Sequence, residues 1–179
     1  MKTRILTSLL MILFTINCSA EIKETDMNFE YTKQDENFWK KNLDNKTYNI
    51  CRLKGTEAPG SGKYDNFYEK GTYYCACCGG DHPLYKSDTK FDSGSGWPSF
   101  YAPIKNEVIE RPDTDDKIKE FFVKARTEVI CSRCHSHLGH VFDDGPQPTR
   151  KRYCMNSLAL VFVPEDEKPK RTYEIEGEN

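Results

Sequence analysis

The chain has 179 residues, enough for one domain with a substantial core. Its formal net charge of −2 argues against the basic footprint of a nucleic-acid binder. Gly, Pro, Tyr and Phe are plentiful and long amphipathic stretches are scarce, which points to a mostly β, loop-rich domain.

Residues 1–20 read as a targeting segment. Lys2 and Arg4 precede a mostly apolar run from Ile5 to Ile16, too short to be retained as a bilayer-spanning helix. Cys18-Ser19-Ala20 then offers small residues for cleavage before Glu21. Thr15-Ile16-Asn17-Cys18 also loosely resembles a bacterial lipoprotein box, in which the Cys is acylated, although Asn17 departs from the usual small residue. The expectation is an exported protein: periplasmic, secreted or lipid-anchored in the envelope, touching a membrane only through such a lipid.

Residues 21–36 are a polar, flexible lead-in, and the domain proper is expected over 37–164. Phe38, Trp39 and Leu43 suit a short helix from Asn37, and Tyr48 to Leu53 suits a strand holding Cys51. Gly55 to Gly62 is turn chemistry, and Gly71 to Cys75 leads into a strand. Lys90 to Phe100 is a tight, Gly-rich segment; Val108 and Ile109 suit a short strand, and Arg111 to Lys119 a charged loop or surface helical turn. Arg126 to Cys131 alternates like a strand, and His135 to Pro148 reads as a loop with three histidines and two carboxylates. The apolar run Leu158 to Val163 extends a strand that begins at Arg152 and is stopped by Pro164. Residues 165–179 are a charged tail, expected to be frayed.

Eight cysteines in an exported chain would ordinarily suggest disulfides, but the spacing suggests a metal. Cys75-x-x-Cys78 and Cys131-x-x-Cys134 each follow a strand-like run. Two residues between paired cysteines let both thiolates face one ion from a tight turn, and two such turns supply tetrahedral Zn²⁺. Four thiolates leave no open position, so one structural zinc is expected; two disulfides are the alternative. Gly79 suits the end of the first turn, and Cys77 reads as a non-ligand thiol.

Along a strand from Arg152, side chains at 152, 154 and 156 share a face. Cys154 would then lie between a guanidinium and the Asn156 amide, and a nearby cation favours the nucleophilic thiolate. A small buried cysteine at a strand start is the plainer alternative. His137 and His140, with Asp143 and Asp144 close behind, suit either a metal or proton donation, with a carboxylate orienting one ring nitrogen. Trp97, Phe100 and Phe142 offer aromatic faces of the kind that attract polarizable sulfur, Phe100 being equally suited to the core.

Taken together, Gly55-Thr56-Glu57, Cys75-x-x-Cys78-Gly79, Lys90 to Phe100, Arg126 to Val129, Cys131-x-x-Cys134, Ser136 to Pro146 and Arg152 to Ser157 resemble the methionine sulfoxide reductase B family, the peptide-methionine (R)-S-oxide reductases. The resemblance implies two twisted antiparallel sheets preceded by short helices, with the four paired cysteines on zinc. It implies reduction of methionine R-sulfoxide by Cys154, with Trp97 and Phe142 at the substrate and His137, His140, Asp144, Arg152 and Asn156 on the polar side. His140 or His137 would protonate the sulfoxide oxygen, and Cys154 would be left as a sulfenic acid discharged by thiols from a thioredoxin-like donor. Implied partners are oxidised-methionine proteins or peptides and that donor, acting on a monomer. The chain departs from many family members at Ser95, where a recycling cysteine is common. Cys51 is then the first candidate to resolve the sulfenic acid, followed by Cys77 and Cys18, with direct attack by the external reductant as another route. A non-catalytic, zinc-stabilised binding module, or a metal-dependent hydrolase using His137, His140 and Asp144, are the competing readings.

Overall fold

The structure is a computed structural model that describes residues 31–113 and 126–173. The targeting segment with Cys18, residues 21–30 of the lead-in, 114–119 of the charged stretch and 174–179 of the tail lie outside the described residues.

Helix α1 spans Glu36–Asn42, started by Asp35, whose carboxylate accepts from the Phe38 N–H at 2.8 Å. Helix α2 spans Asn45–Leu53, where a strand was expected. Asp44 decides the matter locally by accepting from the N–H groups of Lys46 and Thr47. Thr47, Ile50 and Cys51, three and four apart, then form the buried face.

Among the described residues nine strands follow: β1 Gly71–Cys75, β2 Pro83–Lys86, β3 Lys90–Phe91, β4 Ser99–Phe100, β5 Val108–Pro112, β6 Thr127–Cys131, β7 His137–Phe142, β8 Arg152–Met155 and β9 Leu160–Pro164. They make two antiparallel sheets, ordered β2-β1-β9 and β3-β4-β8-β7-β6-β5, so the mainly β class with short N-terminal helices holds. Aromatic side chains join the sheets: Phe100 stacks on Tyr85 at 4.4 Å and meets Tyr73 edge-on at 5.0 Å.

Three further expectations are corrected. The histidine-bearing loop contains strand β7, near the middle of the larger sheet, whose buried Leu138 and Val141 anchor it in the core. The strand from Arg152 to Val163 is two strands in different sheets. Chain direction changes at Asn156 and a 3₁₀ turn, Ser157–Ala159, where the Ser157 and Leu158 N–H groups donate to Glu57 instead of to a neighbouring strand. The tail is docked as far as Tyr173, whose ring meets Phe38 edge-on and whose hydroxyl donates to the Cys77 carbonyl. Arg171 pairs with Asp81, and the Thr172 N–H donates to the Gly79 carbonyl. From the other side Tyr31, fully buried, donates to the Cys78 carbonyl.

Candidate active site

The two Cys-x-x-Cys turns come together at the junction of the sheets. Cys75 ends β1, and a 3₁₀ turn over Ala76–Cys78 carries Cys78; Cys131 ends β6 and Cys134 follows. Gly79 closes the first turn at φ 71, a left-handed conformation that suits glycine. The four sulfurs lie within 4.8 Å of one another. Cys75 faces Cys134 at 3.7 Å, and Cys78 faces Cys131 at 3.7 Å. Disulfide sulfurs would be about 2.05 Å apart. Zn–S bonds of about 2.3 Å give a tetrahedron with edges of about 3.8 Å, so the donor set fits one metal ion. Ser136, absent from the expected ligands, sits 3.2 Å from the Cys134 sulfur.

Cys154 lies in β8 between β7 and β4, opposite His140 on one side and Ser99 on the other. Arg152 and Cys154 occupy the less buried face of the strand, as its alternation requires. Arg152 lies over Phe142 at 4.4 Å and holds Asp144 through two hydrogen bonds of 2.8 Å. Asp144 therefore serves the arginine, not a histidine. Burial raises the Cys154 thiol above its ordinary value, while the Ser95 hydroxyl, the Arg152 charge and Ser99 pull it down without cancelling the rise.

The histidines find carboxylates distant in sequence. A bulge lets β7 place both Leu138 and His137 against Ile130, because the pairing skips from Val129–Gly139 to Ile130–His137. A regular strand would send residues 137 and 140 to opposite faces; here their rings are 5.3 Å apart. His137 Nδ1 is 2.8 Å from Glu128, and His140 Nε2 is 2.8 Å from Asp113. Burial pushes the Glu128 carboxyl up, but hydrogen bonds from His137 and Arg111 outweigh it and hold the group at about 2. Burial lowers His140 below the usual imidazole value, with Asp113 partly opposing it. Among the described residues the buried His137 Nε2 atom has no hydrogen-bond partner, leaving one ring nitrogen uncommitted.

A cavity of about 100 Å³ opens beside the thiol, lined by Thr56, Trp97, His140, Phe142, Cys154 and Asn156 among others. The Trp97 indole N–H donates to the Glu57 carbonyl at 3.1 Å, which sets the ring. The Asn156 side chain accepts from the Glu57 N–H and donates to the Leu138 carbonyl, so its amide braces the wall and is not aimed at a ligand. Gly139 lets β7 approach, since a Cβ there would lie 2.1 Å from the Cys154 carbonyl oxygen. Cys51 is buried on α2 and neighbours Cys77, away from this cavity. Ser95 also lies against Cys154, with Oγ 3.8 Å from the sulfur. A larger groove of about 590 Å³, beside α2 and the 3₁₀ turn after Asn156, includes neither Cys154 nor a histidine.

Residues 43–164 match the SelR domain model. The chain is 57% identical over 127 residues to a peptide methionine sulfoxide reductase MsrB of Pseudomonas syringae, covering 70% of this chain and 91% of that protein. It is 50% identical over 139 residues to an MsrB of Leptospira interrogans, covering 78% of this chain and all of that protein. The chloroplastic peptide methionine sulfoxide reductase B1 of Arabidopsis thaliana is also 50% identical over 139 residues, covering 78% of this chain and 65% of that protein. The chain carries a SelR domain. It belongs to the methionine sulfoxide reductase B family, the peptide-methionine (R)-S-oxide reductases.

Proposed function

We propose that this chain reduces methionine R-sulfoxide in proteins through a Cys154 sulfenic acid, repairing proteins after oxidative damage. The supporting observation is one cavity in which the Cys154 thiol and His140 face each other across β8 and β7, with Trp97 and Phe142 as aromatic walls. The Cys154 thiolate attacks the sulfoxide sulfur, and His140, held by Asp113, gives the oxygen a proton. The net first step is Cys154–SH plus sulfoxide to Cys154–SOH plus methionine, the sulfoxide sulfur being reduced and the cysteine sulfur oxidised by two electrons. A thiol then forms a mixed disulfide and releases water, and a second thiol returns Cys154–SH.

Cys75, Cys78, Cys131 and Cys134 would hold a structural Zn²⁺, which would tie the two turns without entering the chemistry. Recycling by a thioredoxin-like donor is part of the reading. With Ser95 beside the nucleophile and Cys51 buried against Cys77, direct attack by the donor requires less rearrangement than transfer through Cys51. Export, with cleavage before Glu21 or acylation at Cys18, completes it and would be read from the mass of the mature N-terminus. The hydrolase reading lacks its ligand triad, because both oxygens of Asp144 are engaged by Arg152.

The test is a stereospecific assay with the R and S sulfoxides, using wild type, Cys154→Ser and Cys51→Ser. Cys154→Ser should lose at least about 10³-fold in activity while keeping its fold. Retained R-sulfoxide reduction by that variant, with dithiothreitol as donor, would overturn the mechanism. Wild type inactive on both isomers would favour the binding-module reading. Cys51→Ser should keep its turnover with thioredoxin if the donor attacks directly, and lose it if Cys51 resolves the sulfenic acid.

A further inference from the structure

Ser95 marks more than a missing thiol. Its hydroxyl lies 3.8 Å from the Cys154 sulfur and 2.8 Å from the Ser93 hydroxyl, which in turn lies 2.7 Å from that of Ser99. Ser99 is fully buried and stands directly opposite Cys154 in the sheet, so the row of hydroxyls begins in the core and ends on the nucleophile. The Trp97 carbonyl lies 3.1 Å from the Ser99 hydroxyl and 3.5 Å from that of Ser95 and competes for their protons; with the row directed from Ser99 through Ser93 to Ser95, each hydroxyl donates once and the Ser95 proton goes to the sulfur.

The loop holding this row is fixed at several points. The Gly94 N–H donates to Asp92 at 2.9 Å, and the Gly96 carbonyl accepts from the Gly60 N–H at 2.7 Å. A side chain at Gly96 would strike the backbone N of Gly60 at 2.8 Å, at a residue whose φ is +86. The hydroxyls are thus set in place before any substrate arrives, which is the condition for useful electrostatic stabilisation in a small, partly dry cavity.

We propose that this hydroxyl row is catalytic, Ser95 donating a hydrogen bond first to the Cys154 thiolate and then to the oxygen of its sulfenic acid. The proposal rests on the reductase reading for its second half. When an external thiolate attacks the sulfenic sulfur, the sulfur–sulfur bond forms as the sulfur–oxygen bond breaks. The departing hydroxide, held by the Ser95 hydrogen bond, takes the proton that the incoming thiol gave up and leaves as water. The electrons come from the incoming thiol, so Cys154 needs no second cysteine in the chain. Ser95 touches the reacting atom; Ser93 and Ser99 position it.

The test uses the full chain with its metal bound. Alkylation of Cys154 by iodoacetamide is followed against pH by mass spectrometry of its peptide, without sulfoxide, in wild type, Ser95→Ala, Ser95→Thr and Ser93→Ala. In Ser95→Ala the midpoint should rise by about one pH unit. It should rise less in Ser93→Ala and return toward wild type in Ser95→Thr, which restores a hydroxyl. Sulfenic acid made with hydrogen peroxide should be discharged by dithiothreitol about tenfold more slowly in Ser95→Ala than in wild type. Unchanged midpoints and unchanged discharge in both alanine variants would overturn the proposal. Because neither readout uses methionine sulfoxide, a wild type inactive on sulfoxide would sink the reductase reading while leaving this one to stand or fall separately.

Discussion

The Cys₄ cluster and the Cys154 cavity both rest on cysteine sulfur, yet they are built in opposite ways. In the cluster four thiols are buried and face one another at 3.7 Å across two short turns, with Tyr31 and Tyr173 donating to the carbonyls of the first turn. In the cavity a single, partly exposed thiol is surrounded by groups that are not sulfur: His140 from β7, Ser95 from a loop and Arg152 from its own strand. The cluster brings four like groups together, in a spacing that suits a shared cation. The cavity isolates one thiol, raised by burial and eased by hydroxyls and a guanidinium. One arrangement joins a turn from each sheet; the other leaves a thiol open to a cavity.

Breaking the cluster should have the largest effect on the fold. Binding of structural zinc contributes on the order of 10 kcal/mol in small zinc domains. Cys131→Ser is expected to lose the metal and to melt at least about 10 °C lower, or not to fold, with loss of activity following from that. Metal content by atomic absorption together with a thermal melt checks this; full zinc and an unshifted melt would show that the cluster is not the staple.

Asp113→Asn should act on the cavity while leaving the cluster intact. Asp113 is the group that opposes the lowering of His140 by burial. Without it the imidazolium becomes more acidic, and the protonated fraction near neutral pH shrinks. The acid-dependent limb of kcat/KM should shift to lower pH, with activity at pH 7.5 down about tenfold and zinc content unchanged. An unshifted pH profile would assign the proton to His137.

Asp144→Asn should have the smallest effect. Asp144 is exposed and its hydrogen bonds from Arg152 hold its carboxyl below the ordinary value. The depressed value means that this pair stabilises the fold above the unfolded carboxyl value near pH 4 and is lost as pH falls through the folded one. Exposed pairs contribute roughly 0.2–1 kcal/mol, so denaturant midpoints of the variant and wild type should differ slightly at pH 7 and converge in acid. A loss of activity as large as that of Asp113→Asn would instead make Asp144 a working part of the cavity.

Some of this design is local in sequence. Each Cys-x-x-Cys turn is four residues long, so its ligand geometry is written into its spacing, and Gly79 marks the left-handed end of the first. The shared face of Arg152 and Cys154 follows from the alternation of a strand. The helix at Asn45–Leu53 was also written locally, in the Asp44 cap, but β-favouring Tyr48 and Ile50 suggested a strand.

Tertiary structure decided the rest. Glu128 and Asp113 reach the histidines from β6 and from the end of β5, and no spacing rule connects residues 9 and 27 apart to a ring nitrogen. The bulge between Val129 and Ile130 depends on pairing between two strands and turns His137 to the face of His140. Glu57 binds the Ser157 N–H across 100 positions, which ends β8 and keeps the apolar run after it out of the same sheet. The sequence by itself determined which residues could be nucleophile and metal ligands, because those depend on chemical type and short-range geometry. Only the folded sheet determined which carboxylate orients which histidine and which hydroxyl meets the sulfur, because hydrogen bonds reward atoms within about 3 Å regardless of their separation along the chain.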